Sequence, residues 1–252
     1  MSVARLHRSF APRKALVTYR MAGDGGVDAS VEALVTCARA GADVLELGFP
    51  FSDPIADGRV IQAAAGRALA LHITLDTVFD IARRVRTQTD VPLVLMGYLN
   101  PVLAFGVERF VATCAASGVD GVIIPDLPPE EAAELCAAAR AHDVGTIFML
   151  APTSTPDRER AVLAASTGFI YFVSVTGVTG TRTGVPDIGA HVERLRAASR
   201  VPVAVGFGIS TPAQASALAA FADGVVVGSA LVERHARGEA LTSFVTSLRA
   251  VL

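Results

Sequence analysis

Short apolar runs alternate with Ala-rich amphipathic stretches along the whole chain, and this alternation constrains the fold more than any other feature. The runs are Ala15–Tyr19, Val44–Gly48, Pro92–Tyr98, Gly121–Pro125, Thr146–Ala151, Phe169–Val175, Val201–Gly206 and Gly224–Val227. They are apolar continuously rather than at every second residue, which suits parallel strands covered on both faces. Helices are predicted between and after them, over Ser30–Ala40, Thr74–Thr87, Val107–Ala116, Pro129–Ala141, Pro156–Ala165, Ile188–Ala198, Pro212–Phe221 and Leu241–Val251. Two starts carry a capping residue ahead of a first-turn Pro, at Asp126–Glu131 and at Ser210-Thr211-Pro212. A helix after each of eight strands within 252 residues favours a closed (β/α)8 TIM barrel over an open doubly wound sheet. No linker or shift in composition divides the chain, so one barrel domain spanning 1–252 is expected.

With 22 Lys and Arg against 24 Asp and Glu, the chain offers no basic surface for nucleic acid. Its mean hydropathy is positive, yet no apolar run approaches a bilayer span, so no membrane association is expected. The segment Met1 to Lys14 is polar and basic without an apolar centre, unlike a secretory signal, and a cytoplasmic enzyme is the expectation. Cys37, Cys114 and Cys136 are far apart and the five histidines are dispersed. Neither a disulfide framework nor a metal site is expected.

The stretch from Leu45 to Gly58 carries the clearest chemical signal. Side chains alternate faces along a strand, so Val44, Glu46 and Gly48 share one face while Leu45 and Leu47 take the other. Burying an unpaired carboxylate costs several kcal/mol unless its pKa rises or a partner satisfies it. Glu46 is therefore either catalytic or a structural acid paired with a core Arg. Asp57, in the loop that follows, is a second carboxylate that could divide proton-transfer and acceptor roles with it. Asp53, just ahead of Pro54, reads equally well as an Asx turn.

Two glycine-rich junctions follow the last two strands, at Val205–Ser210 and Val227–Val232. Phosphate-binding barrels place their anion there, on glycine amides and the N-terminus of a short extra helix. Neither motif holds a Lys or Arg, so backbone dipoles and Ser229 would carry the anion. Tyr19, Tyr98, Tyr171 and Phe207 at strand ends suit a flat apolar ligand, although core packing explains any one of them. Gly177–Pro186, after the sixth strand, is expected to be a lid.

Together these segments resemble the alpha subunit family of tryptophan synthase, over nearly the whole chain from about Ala15. The matching motifs are Ala22-Gly23-Asp24, Leu45 to Gly58, Met96 to Pro101, Pro125 to Pro128, Ala151 to Ser154, Gly177 to Gly180, Gly206 to Ser210 and Gly228 to Ala230. The resemblance implies cofactor-free retro-aldol cleavage of indole-3-glycerol phosphate to indole and glyceraldehyde 3-phosphate. It implies Glu46 as proton shuttle, Asp57 as acceptor of the indole NH, and Tyr171 near the reacting carbon. Thr179 would order the lid against Asp57, and Gly180, Gly208, Gly228 and Ser229 would hold the phosphate, with Tyr19, Tyr98 and Phe207 beside the substrate.

Arg59 stands where the family usually has Pro, Gly25 replaces another Pro, Met21 replaces a Thr and follows Arg20, and the start looks shortened, with Pro12 where a leading helix would run. These departures border the face that meets a beta subunit in the family. A stand-alone indole producer is therefore an expectation beside an ordinary alpha subunit. The alternatives are another phosphate-sugar barrel isomerase, which would not need the acid loop, and a non-catalytic regulatory partner of a beta subunit, which would not need both carboxylates.

Overall fold

Eight parallel strands close into a barrel in strict chain order, from β1 (Ala15–Met21) and β2 (Val44–Gly48) through β3 (Leu93–Met96), β4 (Gly121–Ile123), β5 (Gly145–Leu150), β6 (Ile170–Val173) and β7 (Val203–Gly206) to β8 (Gly224–Val227). Closure is made by β1 on β8, with Val17 beside Val226. The computed structural model describes residues 2–173, 188–206 and 208–252. All eight expected strands are present, and the barrel is the fold predicted from their spacing.

The strand faces separate two cores. Val17, Val44, Val94, Ile123, Ile147, Ala204 and Val226 pack inside the barrel, while Leu45, Leu47, Leu95, Phe172 and Val205 face the surrounding helices. Each strand is therefore covered on both sides, which is why its sequence is apolar at successive positions.

The helices are α1 (Ser2–Arg8), α2 (Val27–Arg39), α3 (Arg59–Ala70), α4 (Leu75–Arg86), α5 (Leu99–Phe105), α6 (Val107–Ala116), α7 (Ala133–Ala141), α8 (Pro156–Ala165), α9 (Ile188–Ala198), α10 (Pro212–Ala219), α11 (Ser229–Ala236) and α12 (Leu241–Arg249). In α4 the buried positions Val78, Phe79, Ile81, Ala82 and Val85 follow helical spacing, and Thr74 with Thr77 forms a capping box. Thr211 and Gln214 cap α10 in the same way, with Pro212 in its first turn, as its start signal predicts.

Four of the described helices, α1, α3, α5 and α11, have no counterpart among the predicted ones. α3, α5 and α11 begin without a side-chain cap, and α5 carries Pro101 in its first turn, where the ring is tolerated although it reads as a breaker. The expected helix at Pro129 starts instead at Ala133. Asp126, its presumed cap, accepts the Leu99 amide at 2.9 Å and so serves α5. A further helix stands at the start, where α1 ends before Pro12 and seals the bottom of the barrel. Leu6 is fully buried there, Phe10 stacks on Phe169 at 5.4 Å, and Arg5 of α1 joins Arg86 of α4 on the buried carboxylate of Asp120.

Candidate functional site

At the opposite end, where the strands run out, Glu46 points into the barrel from β2, with Tyr19 its register neighbour on β1 and Val94 its neighbour on β3. The side chain is almost fully buried, and Oε2 has no hydrogen-bond partner among the described residues. Burial foremost, and then the charge of Asp57, pushes its pKa up to about 8. No core Arg pairs with it, so the structural-acid alternative fails among the described residues.

Asp57 sits in the loop between β2 and α3, half-buried at the mouth of the same cavity. Desolvation raises its pKa to about 6, and a hydrogen bond from the Tyr98 hydroxyl opposes that rise. Tyr98 Oη also accepts the Ala56 amide at 3.0 Å. The tyrosine therefore braces the acid loop, and it is not among the residues that line the cavity. Asp53 has no place in the cavity lining. Its exposed carboxylate accepts the Ser52 hydroxyl at 2.5 Å, while its carbonyl accepts the Ile55 amide.

The cavity encloses about 310 Å³. Glu46, Asp57, Tyr19, Tyr171 and Met96 form one end, and Gly208, Ser210, Gly228, Ser229 and Ala230 form the other. A Cβ on Gly48 would lie 2.1 Å from the Tyr19 hydroxyl, and one on Gly206 would lie 2.5 Å from that of Tyr171. These two strand-end glycines make room for the two rings. Burial raises both tyrosine pKa values, so each hydroxyl stays protonated.

The far end is lined by glycines and by the start of α11. Gly228 leads into α11, and the amides of Leu231 and Val232 close on its carbonyl, while the first N–H groups of a helix have no intrahelical acceptor and face outward. Gly208 contributes a left-handed turn at φ 74°. No Lys or Arg appears among the described lining residues.

The structure thus gathers Glu46, Asp57, Tyr19, Tyr171, Gly208, Gly228 and Ser229 around one space. Thr179, Gly180, Phe207 and the expected lid lie outside the described residues. Ile61, Met96, Val226 and Glu233 also line the cavity and were not foreseen. Glu233 shows no signal in sequence, because α11 itself was not predicted. A larger hollow of about 550 Å³ lies on the flank of the barrel beside α7 and α8, and none of the expected site residues lines it.

A protein-family model described as "Tryptophan synthase alpha chain" matches residues 7–249. The tryptophan synthase alpha chain of Geobacter sulfurreducens is 53% identical over 244 residues, covering 94% of this chain and 92% of that one. That of Alkalilimnicola ehrlichii is 52% identical, covering 90% and 83%. Among solved structures, tryptophan synthase subunit alpha from Legionella pneumophila superposes with a TM-score of 0.89 at 36% identity, covering 98% of this chain and 97% of that one. A chain of tryptophan synthase from M. tuberculosis gives 0.90 at 37% identity, covering 98% of both. The family model and these relatives span nearly the whole chain and the superposed structures share its fold, so the chain belongs to the tryptophan synthase alpha chain family.

Proposed function

We propose that this cavity breaks indole-3-glycerol phosphate into indole and glyceraldehyde 3-phosphate, with Glu46 as proton shuttle and Asp57 as acceptor of the indole NH. As a member of its family the protein is a carbon–carbon lyase. The observation that carries the residue assignment is the pairing, in one space, of two carboxyl groups held at different pKa values with a glycine-lined end where no Lys or Arg stands among the described residues. Near pH 7 Glu46 is protonated while Asp57 is ionised.

The chemistry then balances without a further reagent. Glu46 gives its proton to indole C3, and positive charge develops at the ring nitrogen, where Asp57 stabilises it. Glu46, now a carboxylate, removes the hydroxyl proton from the adjacent glycerol carbon. As that oxygen becomes the aldehyde, the carbon–carbon bond breaks, and its electrons return to the ring to regenerate neutral indole. Tyr171 packs beside the reacting carbon, and Gly208, Gly228 and Ser229 hold the phosphate by backbone dipoles.

A tryptophan synthase beta subunit is the partner this reading carries. It is supported by exposed Ile55 in the acid loop and exposed Leu103 on α5, both on the face where the cavity opens. Of the sequence departures near that face, Gly25 and Arg59 are exposed, whereas Met21 is buried in the core. Gly25 has φ 87°, a conformation closed to Pro, so the loop takes a path of its own here. The case for stand-alone action therefore rests on Gly25 and Arg59.

Steady-state indole formation from indole-3-glycerol phosphate, with and without a beta subunit from the same source, tests both points. Indole release above background is expected. None under either condition overturns the activity, and a stable complex with strong stimulation overturns stand-alone action. The phosphate end has its own test. A Cβ at Gly228 has room, 3.4 Å from that of Tyr19, but the branched methyls of Gly228→Val would obstruct the anion. The variant should bind glyceraldehyde 3-phosphate at least about tenfold more weakly while retaining indole. Equal losses for both ligands in titration calorimetry would remove the phosphate assignment.

A further inference from the structure

Arg20 lies on the outer face of β1, back to back with Tyr19, and is among the largest fully buried side chains. Its Nη1 donates to the carbonyl of Leu231 in α11 at 2.9 Å, while Nε and Nη2 have no hydrogen-bond partner among the described residues. Asp24, the carboxylate that acts on it, is already held by Arg67 through bonds of 2.7 and 2.9 Å. Cys37 also faces Arg20, but burial raises its thiol to about 11 and leaves it neutral. The guanidinium is thus a buried cation without an ion-pair partner, which is expensive where an apolar side chain would pack at no such cost.

Its one bond shows what it serves. Leu231 is two residues beyond Ser229, about 3 Å of helix rise from the first amide of α11. On the other face of the same strand, Tyr19 packs against Gly228. Consecutive residues of β1 therefore hold the first turn of α11 from two sides, one through the cavity wall and one from behind.

We propose that Arg20 is a positioning residue for the anion end of the site, fixing the N-terminus of α11 and supplying from behind a positive charge that the described cavity lining lacks. The proposal rests on the phosphate reading above. A phosphate at the helix N-terminus would gain from the field of a cation behind that turn, because little water lies between to screen it, whereas neutral indole would gain nothing.

The test is titration calorimetry of the full chain with inorganic phosphate and, separately, with indole. Arg20→Gln retains an amide donor for Leu231 and removes the charge. It should weaken phosphate binding roughly ten- to thirtyfold and leave indole within about twofold. In turnover, KM should rise by a similar factor with kcat nearly unchanged. Arg20→Lys keeps a point charge without the fork, and a loss of about two- to fivefold for phosphate alone is expected. If Arg20→Gln does not fold, the lysine variant carries the test. Unchanged phosphate affinity, or parallel loss of phosphate and indole, overturns the proposal in either variant. Wild-type protein that binds no phosphate removes the functional reading and the proposal with it.

Discussion

Glu46→Gln should lower turnover by at least about a hundredfold and yet make the protein harder to unfold at pH 8. The first effect is the ordinary size of a lost acid–base group. The second follows from burial, because the folded protein holds this carboxyl up to about 8 while the unfolded chain releases its proton near 4.5. Between those values the folded state binds more protons than the unfolded one, so stability falls as pH rises through the interval. Gln removes that penalty, and melting temperature should rise by on the order of 10 °C at pH 8, with the gain fading towards pH 4. Thermal scans across pH, read beside indole release, check both halves. Near-normal turnover would sink the shuttle role, and a stability gain independent of pH would sink its electrostatic explanation.

Asp57→Asn should reduce kcat by about a hundredfold or more, since the amide still accepts a hydrogen bond but no longer opposes the charge developing on the indole. The pH profile should change shape as well. In the wild type, activity rises as the carboxyl pair loses its first proton near 6 and falls as it loses its second near 8. The asparagine variant should lose the acid limb. Its alkaline limb should move below 8, because Asp57 is the charge that adds to the burial of Glu46. A profile of unchanged shape with a lowered melting temperature would instead mark Asp57 as structural.

Much of this site was readable before any coordinates. Alternation along β2 placed Glu46 opposite Leu45 and Leu47, and buried strands on both faces left the barrel interior as its destination. The two glycine junctions marked the far end of the same cavity, since close backbone approach is what glycine permits. What stayed hidden depends on residues far apart in the chain. Tyr98 looked like a substrate wall, but its hydroxyl meets a loop 42 positions away and braces Asp57. Arg20 was visible as an oddity, yet its meaning lies in Leu231, 211 positions further on. Of the unpredicted helices, α3, α5 and α11 begin without a side-chain cap, and their stability comes from packing on the barrel rather than from local preference.

The seal at the bottom of the barrel also sets an order of events during synthesis. Arg5 of α1 waits for Asp120, the His7 ring for the carbonyl of Thr167, and Phe10 for Phe169. A ribosome adding 5–20 residues each second needs on the order of 10 s to deliver those last partners. Until then α1 is too short to persist as a helix on its own. α1 is therefore made long before its partners and is among the last elements to find its place, and barrel closure at that end waits for Thr167 and Phe169 to be made.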